Sequence, residues 1–109
     1  MAKNICNCPN PPGGTVRCEA HQMAVCAVIN GEAHYRCLDP PKGIVDSVGL
    51  ATWAIQEIAG VKKRTPGFTL NLDDELNILA SGKYSSGEIR INFNLPENIK
   101  KAVEELRKR

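Results

Sequence analysis

Apolar and polar positions change period along the chain, and the changes predict its elements. Val25-Cys26-Ala27-Val28-Ile29 and Ala33-His34-Tyr35-Arg36-Cys37 flank Asn30-Gly31. That pair is the strongest short signal for a two-residue type I′ loop, so Met23 to Leu38 is predicted as a β-hairpin. In this register position 26 faces 35 and position 24 faces 37. Cys26 and Cys37 then share a face with Ala24, Val28, Ala33 and Tyr35, one diagonal apart. Thr15 to Cys18 suits a further short strand. Pro9, Pro11, Pro12, Gly13 and Gly14 exclude regular structure before it, because proline lacks the donor and glycine costs backbone entropy. Asp39-Pro40-Pro41-Lys42-Gly43 breaks the chain.

The period then becomes helical. Ile44, Val48, Ala51, Ile55 and Ile58 recur at three- and four-residue steps, predicting a helix over 44–63 with these residues on its buried face. Gly60 and the basic run Lys62-Lys63-Arg64 suit its C-terminal end, and Pro66 stops it. Phe68, Leu70 and Leu72 alternate as in a half-buried strand. From Asp73 the pattern fits two elements, a short helix carrying Leu76, Leu79 and Ala80 that Gly82 ends, or a strand with Leu76, Ile78 and Ala80 on one side. Ser85-Ser86-Gly87 reads as a turn. Ile89, Ile91 and Phe93 alternate with Arg90, Asn92 and Asn94, a strand with one wet face. Pro96 suits the first position of a last helix, with Ile99, Ala102, Val103 and Leu106 as its stripe. Glu97–Lys101, Glu104–Lys108 and Glu105–Arg109 stand at i,i+4 spacing.

The class expected is α+β: an N-terminal zinc-knuckle-like β-hairpin lobe, then a helix, a short antiparallel sheet and a C-terminal helix. Residues 1–42 form the cysteine-rich, metal-binding lobe and 43–109 a small α+β unit packed with it as one domain.

Composition narrows the choice. The 109 residues are 42% hydrophobic and only 5% aromatic, so a core must rest on aliphatic side chains. Net charge is +2, and neither half is markedly basic. A protein gripping phosphates needs a stronger footprint, which disfavours nucleic acid as a partner. No run approaches a membrane span. Met1-Ala2-Lys3 leads directly into Asn4 with no apolar leader, which predicts a cytoplasmic protein with reduced thiols.

All five cysteines lie in the first 37 residues. Cys6, Cys8, Cys18 and His21 make C-x-C-x9-C-x2-H, a donor set suited to a tetrahedral zinc ion (Zn2+). A short, loop-rich segment folding around metal explains why sulfur clusters there. Cys37 is the alternative fourth ligand, leaving His21 outside. Cys26, flanked by apolar residues, reads as a core thiol. Cys18, Cys26 and Cys37, at C-x7-C-x10-C around the hairpin, resemble the cysteine-rich extracellular modules of the follistatin/EGF-like kind. That resemblance spans residues 18–37 and lacks the partner cysteines, and the metal site is the reading taken. The spacings of iron–sulfur proteins are absent.

Other candidates are few. Glu19 beside Cys18 could serve as a general base at an open zinc site, but reads as a solvated turn carboxylate. His34 shares a polar face with Glu32 and Arg36. Trp53 lies opposite Ile44 on its helix and is expected at an interface, docking the cysteine lobe or contacting a partner. Gly82-Lys83-Tyr84-Ser85-Ser86-Gly87 lacks the glycine run of a phosphate loop and precedes a strand. No Ser/His/acid or paired-carboxylate set can be assembled. The function expected is a metal-stabilised binding or adaptor protein with a protein partner. The alternatives are a zinc- or thiol-dependent enzyme and a nucleic-acid-binding regulator.

Overall fold

The computed structural model of the protein describes residues 3–43, 46–63 and 72–108. The fold is mixed α+β, with three helices and two antiparallel sheets among the described residues. The strands are β1 (Lys3–Asn7), β2 (Thr15–Glu19), β3 (Met23–Ile29), β4 (Glu32–Leu38), β5 (Lys83–Ser86) and β6 (Ile89–Asn94). The helices are α1 (Ser47–Lys63), α2 (Leu72–Ser81) and α3 (Glu97–Arg107). Two compact units result. One holds Met1–Pro40 with Gly82–Pro96, the other Pro41–Ser81 with Glu97–Arg109.

The first unit contains both sheets. β4-β3-β6-β5 form one and β1-β2 the other. The expected hairpin forms in the expected register: Cys26 pairs with Tyr35 and Ala24 with Cys37. Asn30 (φ 52°) and Gly31 (φ 82°) are both left-handed, as a type I′ turn demands. β3 is nearly continuously apolar because it is not a hairpin edge but a central strand, paired with β6 on its other side and buried on both faces. One face carries Met23, Val25, Ala27, Ile91 and Phe93, all buried. Across the other face run β1, over β3 and β6, and β2, over β3 and β4. β1 falls in a segment whose polar composition gave no strand signal. Ser85 and Ser86 lie within β5, and the turn comes one step later at Gly87-Glu88.

The Arg90, Asn92 and Asn94 face of β6 is therefore not simply wet. Asn94 donates its side-chain amide to the Ile5 carbonyl (2.7 Å), and Asn92 donates to Asn7 (2.6 Å). Arg90 donates to Asn10 (2.9 Å) and to Pro11. Carbonyls of β1 and of the proline loop, which a sheet of two strands cannot pair, are satisfied by side chains instead.

The second unit holds the helices, with α3 packed on α1 and α2. The side-chain carboxylate of Asp46 caps α1 through the Gly49 amide (3.3 Å). The buried face of α1 is Leu50, Ala51, Trp53 and Ala54, while Val48 is exposed and Ile55 half-buried. It is rotated by roughly 100° from the predicted stripe. Apolar residues cover most of the circumference of this helix, leaving Thr52 and Gln56 exposed, so the stepped isoleucines do not single out one side. α2 settles the open choice after Asp73 as a helix, and Leu76, Ile78 and Leu79 are buried. α3 buries Ile99, Ala102 and Val103 as its stripe predicts. Its described ion pairs are at i,i+3, Glu97–Lys100 (3.7 Å) and Glu104–Arg107 (3.0 Å). The predicted strand at 68–72 lies outside the described residues except for Leu72, which begins α2.

Candidate functional site

Cys6, Cys18 and Cys26 sit between the two sheets, with Cys8 packed against them. β1 turns Asn4 and Cys6 inward, β2 turns Val16 and Cys18 inward, and both meet the Ala24–Cys26 face of β3. Cys8 is bonded to Cys26 and Cys18 to Cys37, with Cα–Cα distances of 5.3 and 5.4 Å. These separations are ordinary for disulfides. Cys26 and Cys37 do share a face one diagonal apart, and each pairs across to the small sheet rather than with the other.

The zinc site is thereby overturned. Of the expected ligands, Cys8 and Cys18 are consumed in disulfides, as is the alternative ligand Cys37. Cys6 alone keeps a thiol, buried in the apolar cluster. His21 lies at the exposed end of the hairpin, its Nε2 3.1 Å from Asp39 Oδ1. Among the described residues no group of three or more His, Cys, Asp or Glu side chains is placed to hold a metal. The cysteine-rich lobe is held by disulfides and is not a zinc knuckle, and Zn2+ is no part of it. Cys26, read as a core thiol, is fully buried but as half of a bridge.

The compartment changes with the chemistry. Disulfides form and persist where the surroundings are oxidising, as in secreted and extracellular proteins. Two of them correct the expectation of a cytoplasmic protein with reduced thiols. Among the described residues no helix is long and apolar enough to cross a membrane.

Burial pushes the Cys6 thiol above the ordinary thiol range, and a hydrogen bond from the Cys26 amide opposes this more weakly. Glu19 is not poised as a base. A hydrogen bond from Lys3 (2.6 Å), followed by the charge of that ammonium, holds its carboxyl below the usual range. Trp53 is buried on α1, 7% exposed.

One feature with open access among the described residues is β4. It is one of the two outer strands of its sheet, β5 being the other, and Glu32, His34, Tyr35, Arg36 and Cys37 are exposed on it. Tyr35 is 67% exposed. A two-residue turn makes Ile29–Glu32 the closing hydrogen-bonded pair, so alternation turns the amides of Ala33, Tyr35 and Cys37 to the outer edge. The ladder to β3 is unbroken over seven pairs, so no bulge bends this edge away. The Cys18–Cys37 bridge pins one end of it and the Asn30-Gly31 turn the other. The sequence pattern carried the hairpin but not the fact that its second strand stays at the sheet margin.

Comparison of the chain with models of protein families, with curated proteins and with solved structures finds no match in any of the three.

Proposed function

We propose that this is a non-catalytic, disulfide-stabilised binding protein of an oxidising compartment, taking an extended segment of a protein partner along β4. The observation that supports this reading is the regular outer edge of β4, with exposed Tyr35 in its middle and both ends fixed. Edge addition uses main-chain hydrogen bonds for affinity and alternate side chains for selectivity. A strand already held straight loses little freedom on pairing, which favours binding. Tyr35 offers a rigid aromatic contact and is the side chain best suited to dominate such an interface.

The test is selection of extended peptides from a display library on the oxidised protein. Binders should protect the Ala33 and Tyr35 amides from hydrogen exchange. Tyr35→Pro removes one outward donor and no bond to β3, and should abolish their binding with both disulfides intact. Binders indifferent to Tyr35→Pro that leave β4 exchange unchanged would refute the reading.

A further inference from the structure

Resting on that reading, we propose that the strand seated on β4 is β4 of a second copy, paired antiparallel about a two-fold axis at His34. Symmetry and the outward amides leave few registers. Hydrogen-bonded pairs across the new seam must join residues among Ala33, Tyr35 and Cys37, whose amides face outward. Centring the axis on His34 pairs Ala33 with Tyr35 of the second copy, and Tyr35 with its Ala33. Each exposed ring then lies over the smallest side chain on the strand. On the opposite face Glu32 meets Arg36 of the second copy, and the symmetry makes this contact twice. Centring on Tyr35 instead sets Arg36 against His34 and leaves Glu32 opposite Leu38, with no charge matched.

The side chains required are free to make these contacts. Glu32 is 84% exposed and meets only His34, at 3.9 Å, among the described ion pairs. Arg36 is exposed. A strand whose charges and sizes complement their own two-fold image is the signature of an isologous interface. The product is one continuous eight-stranded sheet, in which neither copy keeps a free β4 edge.

Sedimentation equilibrium of the oxidised full chain tests this over a wide concentration range. The wild type should form dimers. Arg36→Glu and Glu32→Arg should each weaken the dimer by about tenfold, since two opposite-charge cross-strand pairs become like-charge pairs. Combining them, Glu32→Arg with Arg36→Glu, should restore dimerisation to within a few-fold of wild type. A second measurement reads the axis directly. His34→Cys places two thiols at a non-hydrogen-bonded pair, with Cα atoms about 4.5 Å apart, and should yield a covalent dimer under mild oxidation. Tyr35→Cys should not. A wild type monomeric at every concentration, a dimer indifferent to both charge reversals, or cross-linking through Tyr35→Cys alone overturns the proposal. A monomeric protein that still binds selected peptides in a manner sensitive to Tyr35→Pro overturns the second copy while sparing the edge reading. Loss of both refutes both.

Discussion

The side-chain amide of Asn4 donates to the backbone carbonyl of Asn94 at 2.8 Å, joining strands ninety residues apart in the chain. The same amide donates to the Gln22 carbonyl at 2.6 Å, and Asn4 is buried. One buried side chain thus ties the start of β1 both to the turn before β3 and to the end of β6. Asn4→Asp keeps the shape but turns an acceptor toward both oxygens. It should cost about 3 kcal/mol at neutral pH, from the lost bonds and the facing charge. The two carbonyls raise the new carboxyl's pKa in the folded state. Its protonated form is thus favoured by folding, and the deficit shrinks as pH falls through that raised value. Denaturant titrations of both proteins at neutral and acidic pH measure the difference.

The two bridges make a separate prediction. Cys18–Cys37 closes a loop with sequence separation 19, and Cys8–Cys26 one with separation 18. Replacing Cys18 and Cys37 together by Ala should lower the unfolding free energy by about 3 kcal/mol, the loop-closure value for about 20 residues. Equilibrium unfolding in denaturant reads it. A loss near zero would mean that the bridge does not constrain the unfolded chain.

The hairpin was legible because Asn30-Gly31 fixes a two-residue turn, and that turn sets every pairing from Met23–Leu38 to Ile29–Glu32. The cysteine chemistry was not legible. Spacing limits which sulfurs can meet, yet Cys8 and Cys18 find their partners only once β1 and β2 lie across β3 and β4. Nothing in Lys3–Asn7, with one exposed isoleucine at Ile5, signals the strand that makes this happen. Alternation in β6 marks the strand correctly, and its polar face is half exposed rather than wholly wet. Polar side chains at Asn92 and Asn94 face a backbone, and a backbone surface calls for the same residue types as water. α1 differs again: apolar residues run from Trp53 round to Val48, and the side that is buried, Leu50, Ala51, Trp53 and Ala54, lies opposite exposed Thr52 rather than on the isoleucine stripe.

Gly82 and Gly87 should respond unequally to alanine. Both have positive φ, 76° and 58°. At Gly87 an added Cβ meets open space, so the cost is that of the left-handed conformation, about 1 kcal/mol. At Gly82 it would stand 2.9 Å from the Phe93 carbonyl oxygen. The Phe93 amide meanwhile donates to the Gly82 carbonyl at 2.8 Å, so the two backbones cannot part without losing that bond. Gly82→Ala should cost at least about 1 kcal/mol more than Gly87→Ala. Thermal unfolding of the two variants side by side decides it.

Cys6 gives the protein an alkaline weakness. Its thiol is buried, and desolvation pushes its pKa upward against the smaller pull of the Cys26 amide. A raised value in the folded state means that folding holds the proton more tightly than the unfolded chain does. The stabilisation is complete below the ordinary thiol range and is lost as pH climbs through the folded value. Cys6→Ala lacks that proton. It should be less stable than the wild type at neutral pH by about 1 kcal/mol, from lost packing, and the gap should narrow as pH rises. Denaturant titrations at increasing pH, with both bridges verified by mass at each point, measure this. A gap that stays constant or widens with alkalinity would show that the thiol titrates no higher in the fold than in the open chain. Slow alkylation of Cys6 at neutral pH, becoming fast only in denaturant, is the kinetic counterpart of the same burial.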